Sequence, residues 1–304
     1  GYPDKNLAGV GVAFKLIQAL CEQTGHRHWL SAVLKLVALG TIADVVPLQG
    51  ENRVMARLGL DEFAKGRNSS GLQALIDSCR LTEKRIGSHE IGFLLAPRIN
   101  AAGRMATPDI AVRLLLATDN GDDYEARTLA RTLARENSRR RTVEADVFRA
   151  AVQLIESNPE VRDSNIIIVW GQKWHRGVIG IVASKLRERF NRPTVVLSVE
   201  GDLAYGSARS VPGFQLLDVI EECRDLLEQF GGHSQAAGMA IQTIHLDKLR
   251  ARLVAVVNRE LKTEQLSRDF KIDATLRLSE ITSSLMEELY SLEPFGRGNG
   301  QPIF

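Results

Sequence analysis

The 304-residue chain has no apolar run long enough to span a bilayer. Its longest candidate, Ile166 to Trp170, has the length of a buried strand. The opening Gly-Tyr-Pro-Asp-Lys shows none of the basic-then-apolar pattern of a secretory leader. Cysteine is scarce: Cys21, Cys79 and Cys223 are scattered and odd in number. That excludes a disulfide framework and a metal knuckle, and it suits a reducing compartment such as the cytoplasm. There is no Walker loop, no dinucleotide fingerprint and no nucleophile–histidine–acid arrangement. His26 and His28 have no acidic or cysteine partner motif and read as surface residues. Internal repeats and low-complexity stretches are also missing. An excess of one charge is lacking too, since 39 basic and 37 acidic residues leave a net charge of +2. Any polyanionic partner must therefore be met by local positive charge. The chain does not begin with Met, and we expect it to be a piece of a longer protein.

What is present is a globular composition, with 44% hydrophobic and 25% charged residues. The length suits two domains or slightly more. Residues 8–21, 29–46, 52–64 and 71–79 carry helical apolar faces, and Pro47 is expected to end the second of these. Residues 1–120 thus read as mostly α. From Asp122 to Ser157 there is no Pro or Gly, so 121–158 reads as one long connecting helix with polar faces. Arg139-Arg140-Arg141 lies within it, either as a solvated face or as a contact to a nucleic-acid path.

A new rhythm starts near Asn158-Pro159. A strand at 166–170, a helix at 177–190 and a strand at 194–198 predict a parallel pair with a right-handed crossover. A strand near 203–208, a helix at 214–229 and a helix opened by Gly231-Gly232-His233 are expected next. Residues 159–265 are therefore read as an α/β domain. The tail, 266–304, begins something new near Phe270 and reads as a truncated domain. The fold class is α/β throughout: a helical part, a connecting helix, and a strand–helix domain.

Several segments concentrate chemistry. Asp44, in Gly40-Thr41-Ile42-Ala43-Asp44-Val45-Val46-Pro47-Leu48, sits among apolar neighbours. It reads either as a capping or salt-bridged carboxylate, or as a ligand for a hard divalent cation. Pro97-Arg98-Ile99-Asn100-Ala101-Ala102-Gly103-Arg104 reads as a tight turn that sets two guanidinium forks and an amide around small residues. Such a turn lets a phosphodiester approach closely. Its bland alternative is a pair of surface arginines. Ser207, Arg209 and Ser210 lie between a strand and a helix start and form a candidate anion site, with Ser210 alternatively an ordinary N-cap. Gly231, Gly232 and His233, followed by Ala236-Ala237-Gly238, offer close backbone contact to phosphate or sugar, or a helix C-cap. His175, in Trp174-His175-Arg176-Gly177-Val178-Ile179-Gly180, precedes a helix and could face phosphate there; Gly177 and Gly180 could equally serve only helix–strand packing.

Taken in order, these motifs resemble the RecJ family of the DHH phosphoesterase superfamily, which are single-strand-specific 5′→3′ exonucleases. The resemblance covers nearly the whole chain. It implies the later part of a DHH catalytic domain at 1–120, the connecting helix at 121–158, a DHH-associated substrate-binding domain at 159–265, and the start of an OB-fold at 266–304. Leu292-Glu293-Pro294-Phe295-Gly296-Arg297-Gly298-Asn299 looks like the entry to that OB-fold. It implies Asp44 as a metal ligand, and Asn100 and Arg104 as catalytic groups facing the scissile phosphate. Arg98, His175, Ser207, Arg209, Ser210, Gly231, Gly232 and His233 are then substrate-binding, with Arg98 alternatively structural. The implied cofactor is Mn²⁺ or Mg²⁺. The remaining metal ligands belong to Asp-x-Asp and Asp-His-His motifs that this chain lacks; Tyr2–Gly11 looks like the stretch just after the latter. The chain alone is accordingly expected to be inactive. Ala208 stands where the family usually has Gly.

The implied work is metal-dependent hydrolysis of single-stranded DNA in repair and recombination, by a monomer in the cytoplasm. A single-strand-binding protein and a helicase are the implied partners, and no membrane is involved. Two alternatives stay open. One is a smaller DHH phosphodiesterase acting on nanoRNA or cyclic dinucleotides. The other is a non-catalytic DNA-binding relative.

Overall fold

A computed structural model describes residues 2–66, 68–117, 123–262, 265 and 271–304. The expected domain starts at 121 and 266, and Phe270, lie outside the described residues. The chain forms two compact units, Gly1–Asn137 with Lys271–Phe304, and Ser138–Phe270.

The first unit is helical. It holds α1 (Gly9–Thr24), α2 (Leu30–Ala43), α3 (Gly50–Ala64) and α4 (Ser70–Ser78). A short α5 (Ser88–Glu90) runs through a π-helical turn, Ile91–Leu95, into α6 (Ala96–Met105), and α7 (Asp109–Leu116) follows. The core gathers one face of each helix: Ala38, Leu39 and Ile42 from α2, Leu60 and Phe63 from α3, Leu72 and Leu75 from α4, Leu114 from α7. α1 and α2 meet closely because Gly40 has no side chain; a Cβ there would lie 2.8 Å from Val10 Cγ1.

The helix read over 29–46 ends earlier than expected, at Ala43, with Asp44 as its C-cap. Val45, not Pro47, stops it, because Val45 adopts φ 56°. The turn read over 97–104 is also corrected: these residues are helical, inside α6. Pro97 falls in the first turn of α6, directly after the π-helical turn, and Ala-Ala continues the helix readily.

α8 (Asp123–Ser157) is one continuous helix of 35 residues, and the two units divide within it. Its Ala126, Ala130 and Leu133, at helical spacing, enter the first core. Further on, the buried carboxylate of Glu144 takes ion pairs from Arg140 at 2.6 Å and Lys185 at 2.5 Å. Arg139 and Arg141 are exposed.

The second unit continues with α9 (Pro159–Arg162), β1 (Ile167–Gln172), α10 (Arg176–Phe190), β2 (Thr194–Glu200) and β3 (Leu203–Arg209). Then come α11 (Leu216–Glu221), β4 (Leu227–His233), β5 (Ala236–Gln242) and α12 (Leu246–Glu260). The five strands make one sheet in the order β1-β2-β3-β5-β4, with β1 and β2 parallel and the rest antiparallel. One face carries the core of Val195, Leu197, Ala208, Met239 and Ile241 with residues of α11 and α12, including Leu249 and Leu253. α10 packs on β2 and β3.

Two further readings are corrected in this unit. The helix expected over 214–229 stops at Glu221, and Leu227–His233 is a strand. The helix expected to open at Gly231-Gly232-His233 is instead a hairpin of β4 and β5, tightly paired from Phe230↔Met239 to His233↔Ala236. Alternation of Ala237, Met239 and Ile241 toward the core fixes the strand, and small residues on the other face mask it in the sequence.

Residues 271–304 belong to the first unit and contain α13 (Ser283–Ser291) and an isolated bridge between Gly296 and Asn299. None of them forms an extended strand. Among the described residues no helix is long and apolar enough to cross a membrane.

Candidate active site

In the first unit α2 ends at a cleft of about 650 Å³. Asp44 lines it from the end of α2, and Asn100 and Arg104 line it from α6, beside Val10, Leu39 and Leu115. Asn100 and Arg104 are four residues apart, so one turn of helix sets them on one face. All three polar side chains are exposed to solvent while their backbones stand on buried helices. The structure thus brings Asp44, Asn100 and Arg104 to one cleft, the last two from a helix face and not from a turn.

Arg98 lies elsewhere. Its Nη1 donates to the Leu94 carbonyl at 2.7 Å and its Nη2 to the Ser78 carbonyl at 3.2 Å. It does not line the cleft; it ties α6 to the end of α4. It also faces Cys79, whose thiol is held above its usual range chiefly by burial, an effect the Arg98 charge partly offsets.

The other expected residues collect in the second unit. Cross-strand pairing sets Ser207 opposite Gly238 and Gly238 opposite Gly231; two residues along each strand, Arg209 faces Ala236 and Ala236 faces His233. Opposed residues share a sheet face. Ser207, Arg209, Gly231 and His233 therefore stand on one face, between Gly and Ala positions that leave the backbone open. Gly231, Gly232 and His233 are exposed. Gly232 has φ 152°, and a Cβ there would lie 2.3 Å from the Ala236 carbonyl oxygen, so only glycine closes this hairpin.

Arg209 is held on that face. Its Nε donates to the Ser184 hydroxyl at 3.1 Å, and its Nη1 donates to the Ser207 hydroxyl at 2.9 Å and the Ala208 carbonyl at 2.8 Å. Gly180 and Ser184, one turn apart on α10, make room for and orient this guanidinium. Sequence reasoning missed this use of Ser184, although its i+4 spacing from Gly180 is visible. His175 is the N-cap of α10: its Nδ1 accepts the Gly177 amide at 3.0 Å. The neighbouring Arg176 pairs with Glu200 and lies 3.1 Å over the Tyr205 ring; hydrogen bonding to Arg176 holds the Glu200 carboxyl below its usual range. Ser210 departs from expectation. It is buried, and its hydroxyl donates to the Phe214 carbonyl at 2.8 Å. It staples the loop after β3, while the N-cap of α11 is Gln215.

Comparison with known proteins places the chain among its relatives. Residues 163–262 match the DHHA1 domain model and residues 272–304 the RecJ OB domain model. The single-stranded-DNA-specific exonuclease RecJ of Bacillus subtilis is 40% identical over 99% of this chain and 37% of its own length. That of Dickeya dadantii is 36% identical over all of this chain and 55% of its own length. The crystal structure of RecJ in complex with Mn²⁺ from Thermus thermophilus superposes with a TM-score of 0.87 at 32% identity, covering 99% of this chain and 44% of that one. These matches, with the sheet domain and the cleft, define a protein of the DHH class. Within that class the chain belongs to the RecJ family. It spans between about a third and just over half the length of these curated relatives.

Proposed function

We propose that the chain forms part of a metal-dependent 5′→3′ exonuclease specific for single-stranded DNA, serving repair and recombination. The observation that carries this reading is the convergence of Asp44, Asn100 and Arg104 on one open cleft. A carboxylate oxygen suits a hard divalent cation such as Mn²⁺ or Mg²⁺, and an adjacent guanidinium and amide suit a phosphate. The residues fit one edge of such a site. Among the described residues no group of three or more His, Cys, Asp or Glu side chains stands ready to hold a metal. Asp44 would contribute one ligand, the others coming from Asp-x-Asp and Asp-His-His segments outside this sequence. The chain alone is accordingly expected not to hydrolyse DNA.

When bound, the metal would activate water and polarise the phosphate. The chain's own residues have separable tasks. Arg104 donates to the non-bridging phosphate oxygens, where charge builds during displacement. Asn100 orients the same phosphate through its amide. On the second unit, Arg209, already anchored by Ser184 and Ser207, receives the 5′-terminal phosphate. Gly231, Gly232 and Gly238 let the strand lie close to the sheet, and His233 donates to phosphate or stacks on a base. His175 contributes by fixing the start of α10. A monomer in the cytoplasm, working with a single-strand-binding protein and a helicase, is the setting we assign.

The test uses the full-length protein with Mn²⁺. A long 5′-phosphorylated single strand should be degraded from its 5′ end, while duplex DNA and dinucleotides are poor substrates. Asp44→Ala should lower turnover by about 10²–10³ and raise the Mn²⁺ requirement. Equal turnover of the long strand and a dinucleotide would favour a small-substrate phosphodiesterase instead. An Asp44→Ala enzyme with normal turnover at limiting Mn²⁺ removes Asp44 from the metal site.

A further inference from the structure

Val45 directly follows Asp44, and its φ of 56° is unusual for a β-branched side chain. The left-handed region crowds Cβ against the carbonyl and lowers its population by about tenfold or more. Such a conformation persists where its surroundings over-determine it, and it marks functional sites more often than other places.

Two clamps hold the segment after Val45. The first is Asn52 in α3, which is fully buried. Its Nδ2 donates to the Pro47 carbonyl at 3.2 Å and to the Asn6 carbonyl at 2.7 Å, and its Oδ1 accepts the Ala8 amide at 3.4 Å. The second comes from the end of the sequence. The Leu48 amide donates to the Arg297 carbonyl at 2.7 Å, and Gln49 Nε2 donates to the Gly298 carbonyl at 3.0 Å, across 249 positions. The Leu48 side chain packs closely on Gly296, where a Cβ would lie 2.8 Å from its Cδ1.

This second clamp is itself densely hydrogen-bonded. Gly296 and Asn299 exchange backbone hydrogen bonds at 2.9 and 3.1 Å. Asn299 Nδ2 donates to the Leu292 and Pro294 carbonyls at 3.0 and 2.8 Å. From α3, Arg53 donates to the Leu292 carbonyl at 2.9 Å and Arg57 to the Glu293 carbonyl at 3.1 Å. The turn is therefore fastened to the helix that follows the Asp44 segment.

We propose that the Gly296–Asn299 turn, with Asn299 as a positioning residue, holds Val45 in its left-handed conformation and thereby fixes the direction of the Asp44 carboxylate. This rests on the reading of Asp44 as a metal ligand. It gives residues in the stretch matched to the RecJ OB domain a part in the metal site of the helical unit. Loosening the turn frees Val45 to relax, and the carboxylate moves with it.

The test pairs amide hydrogen exchange with Mn²⁺ titration, both on the full-length protein. Asn299→Ala should speed exchange of the Leu48 amide at least tenfold and weaken Mn²⁺ binding about tenfold. Adding Val45→Gly, which enters the left-handed region readily, should restore most of the binding while Leu48 still exchanges fast. A turn that is merely structural predicts no such rescue. Gln49→Ala, which leaves the turn's own bonds intact, gives a milder effect in the same direction should Asn299→Ala fold poorly. Fast exchange with unchanged Mn²⁺ affinity overturns the proposal, and so does a loss of affinity that Val45→Gly fails to restore. Asp44→Asn separates the two readings. If it leaves Mn²⁺ binding intact, the metal role of Asp44 falls; if it abolishes binding while Asn299→Ala does not, only the clamp falls.

Discussion

Arg209 donates to the hydroxyl of Ser207 at 2.9 Å, two residues back along β3 and on the same face of the sheet. With its Nε on Ser184, the guanidinium is fixed before any ligand arrives. A pre-oriented fork loses little freedom on binding phosphate, which favours affinity over adaptability. Gly180 is part of this arrangement, because a Cβ there would lie 2.9 Å from Arg209 Nη2 and 3.1 Å from Ser207 Oγ.

Gly180→Ala should therefore displace the tip of Arg209 and not the backbone. Affinity for a 5′-phosphorylated single strand should fall about tenfold, whereas stability changes by less than about 1 kcal/mol, as expected for a clash with a flexible side-chain end. Thermal melting and strand titration on the same preparation check both halves. A normal affinity would mean that Arg209 does not meet the strand.

Arg104 and Arg209 should fail differently. Arg104 lines the cleft with Asp44, and in the proposed function its contact should strengthen as charge builds on the phosphate. Arg104→Ala should lower kcat by about 10²-fold or more with a small change in binding. Arg209→Ala should mainly weaken binding and erase any preference for a 5′-phosphate. Single-turnover kinetics with and without the 5′-phosphate separate the two, and matching losses of affinity at intact turnover would refute the division.

How far the sequence alone reaches is visible at these sites. α8 and the β1–α10–β2 unit are legible because their periodicity is strong and uninterrupted. Asp44, Asn100 and Arg104 are legible through their motifs. Their meeting in one cleft is not, since it depends on packing of α2 against α6. The 97–104 stretch misleads because Pro, Asn and Gly are turn residues by propensity; here Pro97 follows directly on the π-helical turn and the chain continues as α6. The Gly231–Gly238 hairpin misleads for the opposite reason. Its outer face is built of Gly and Ala, so the alternation that marks a strand is muted. The fastening of Leu48 by Arg297 joins residues too distant in sequence for any local pattern to show.

Arg98 supplies a test of structure against binding. It clips two carbonyls, at Leu94 and Ser78, where the chain passes from the π-helical turn into α6. Arg98→Ala should leave these acceptors without their charged donor and cost about 1–3 kcal/mol of stability. Strand affinity and its dependence on salt should stay unchanged for the fraction that is folded. A lower salt slope in this variant would return Arg98 to the set of phosphate contacts.

The open strip of β4 and β5 allows the sharpest separation of fold from ligand. A Cβ on Gly231 meets nothing within 4 Å, and one on Gly238 meets only the Gly206 carbonyl oxygen at 3.9 Å. Both positions accept a side chain without internal conflict. Gly232, between them in the hairpin, does not: its φ of 152° and the Ala236 carbonyl 2.3 Å from a built Cβ exclude one. Gly231→Val should thus keep native stability within about 0.5 kcal/mol, since β-branched residues also suit strands. The added methyl groups would stand where the strand is expected to lie, so affinity for single-stranded DNA should drop about tenfold or more. Gly232→Ala should instead destabilise the second unit by about 1–3 kcal/mol through strain. Wild-type binding should weaken steeply between low and moderate salt, because phosphate contacts release counterions. The Gly231→Val variant should show lower affinity at every salt concentration and a similar slope, as it removes close approach and no positive charge. If Gly231→Val folds normally and binds as tightly as wild type, the strand does not cross this face, and the assignment of Ser207, Arg209 and His233 to it fails as well.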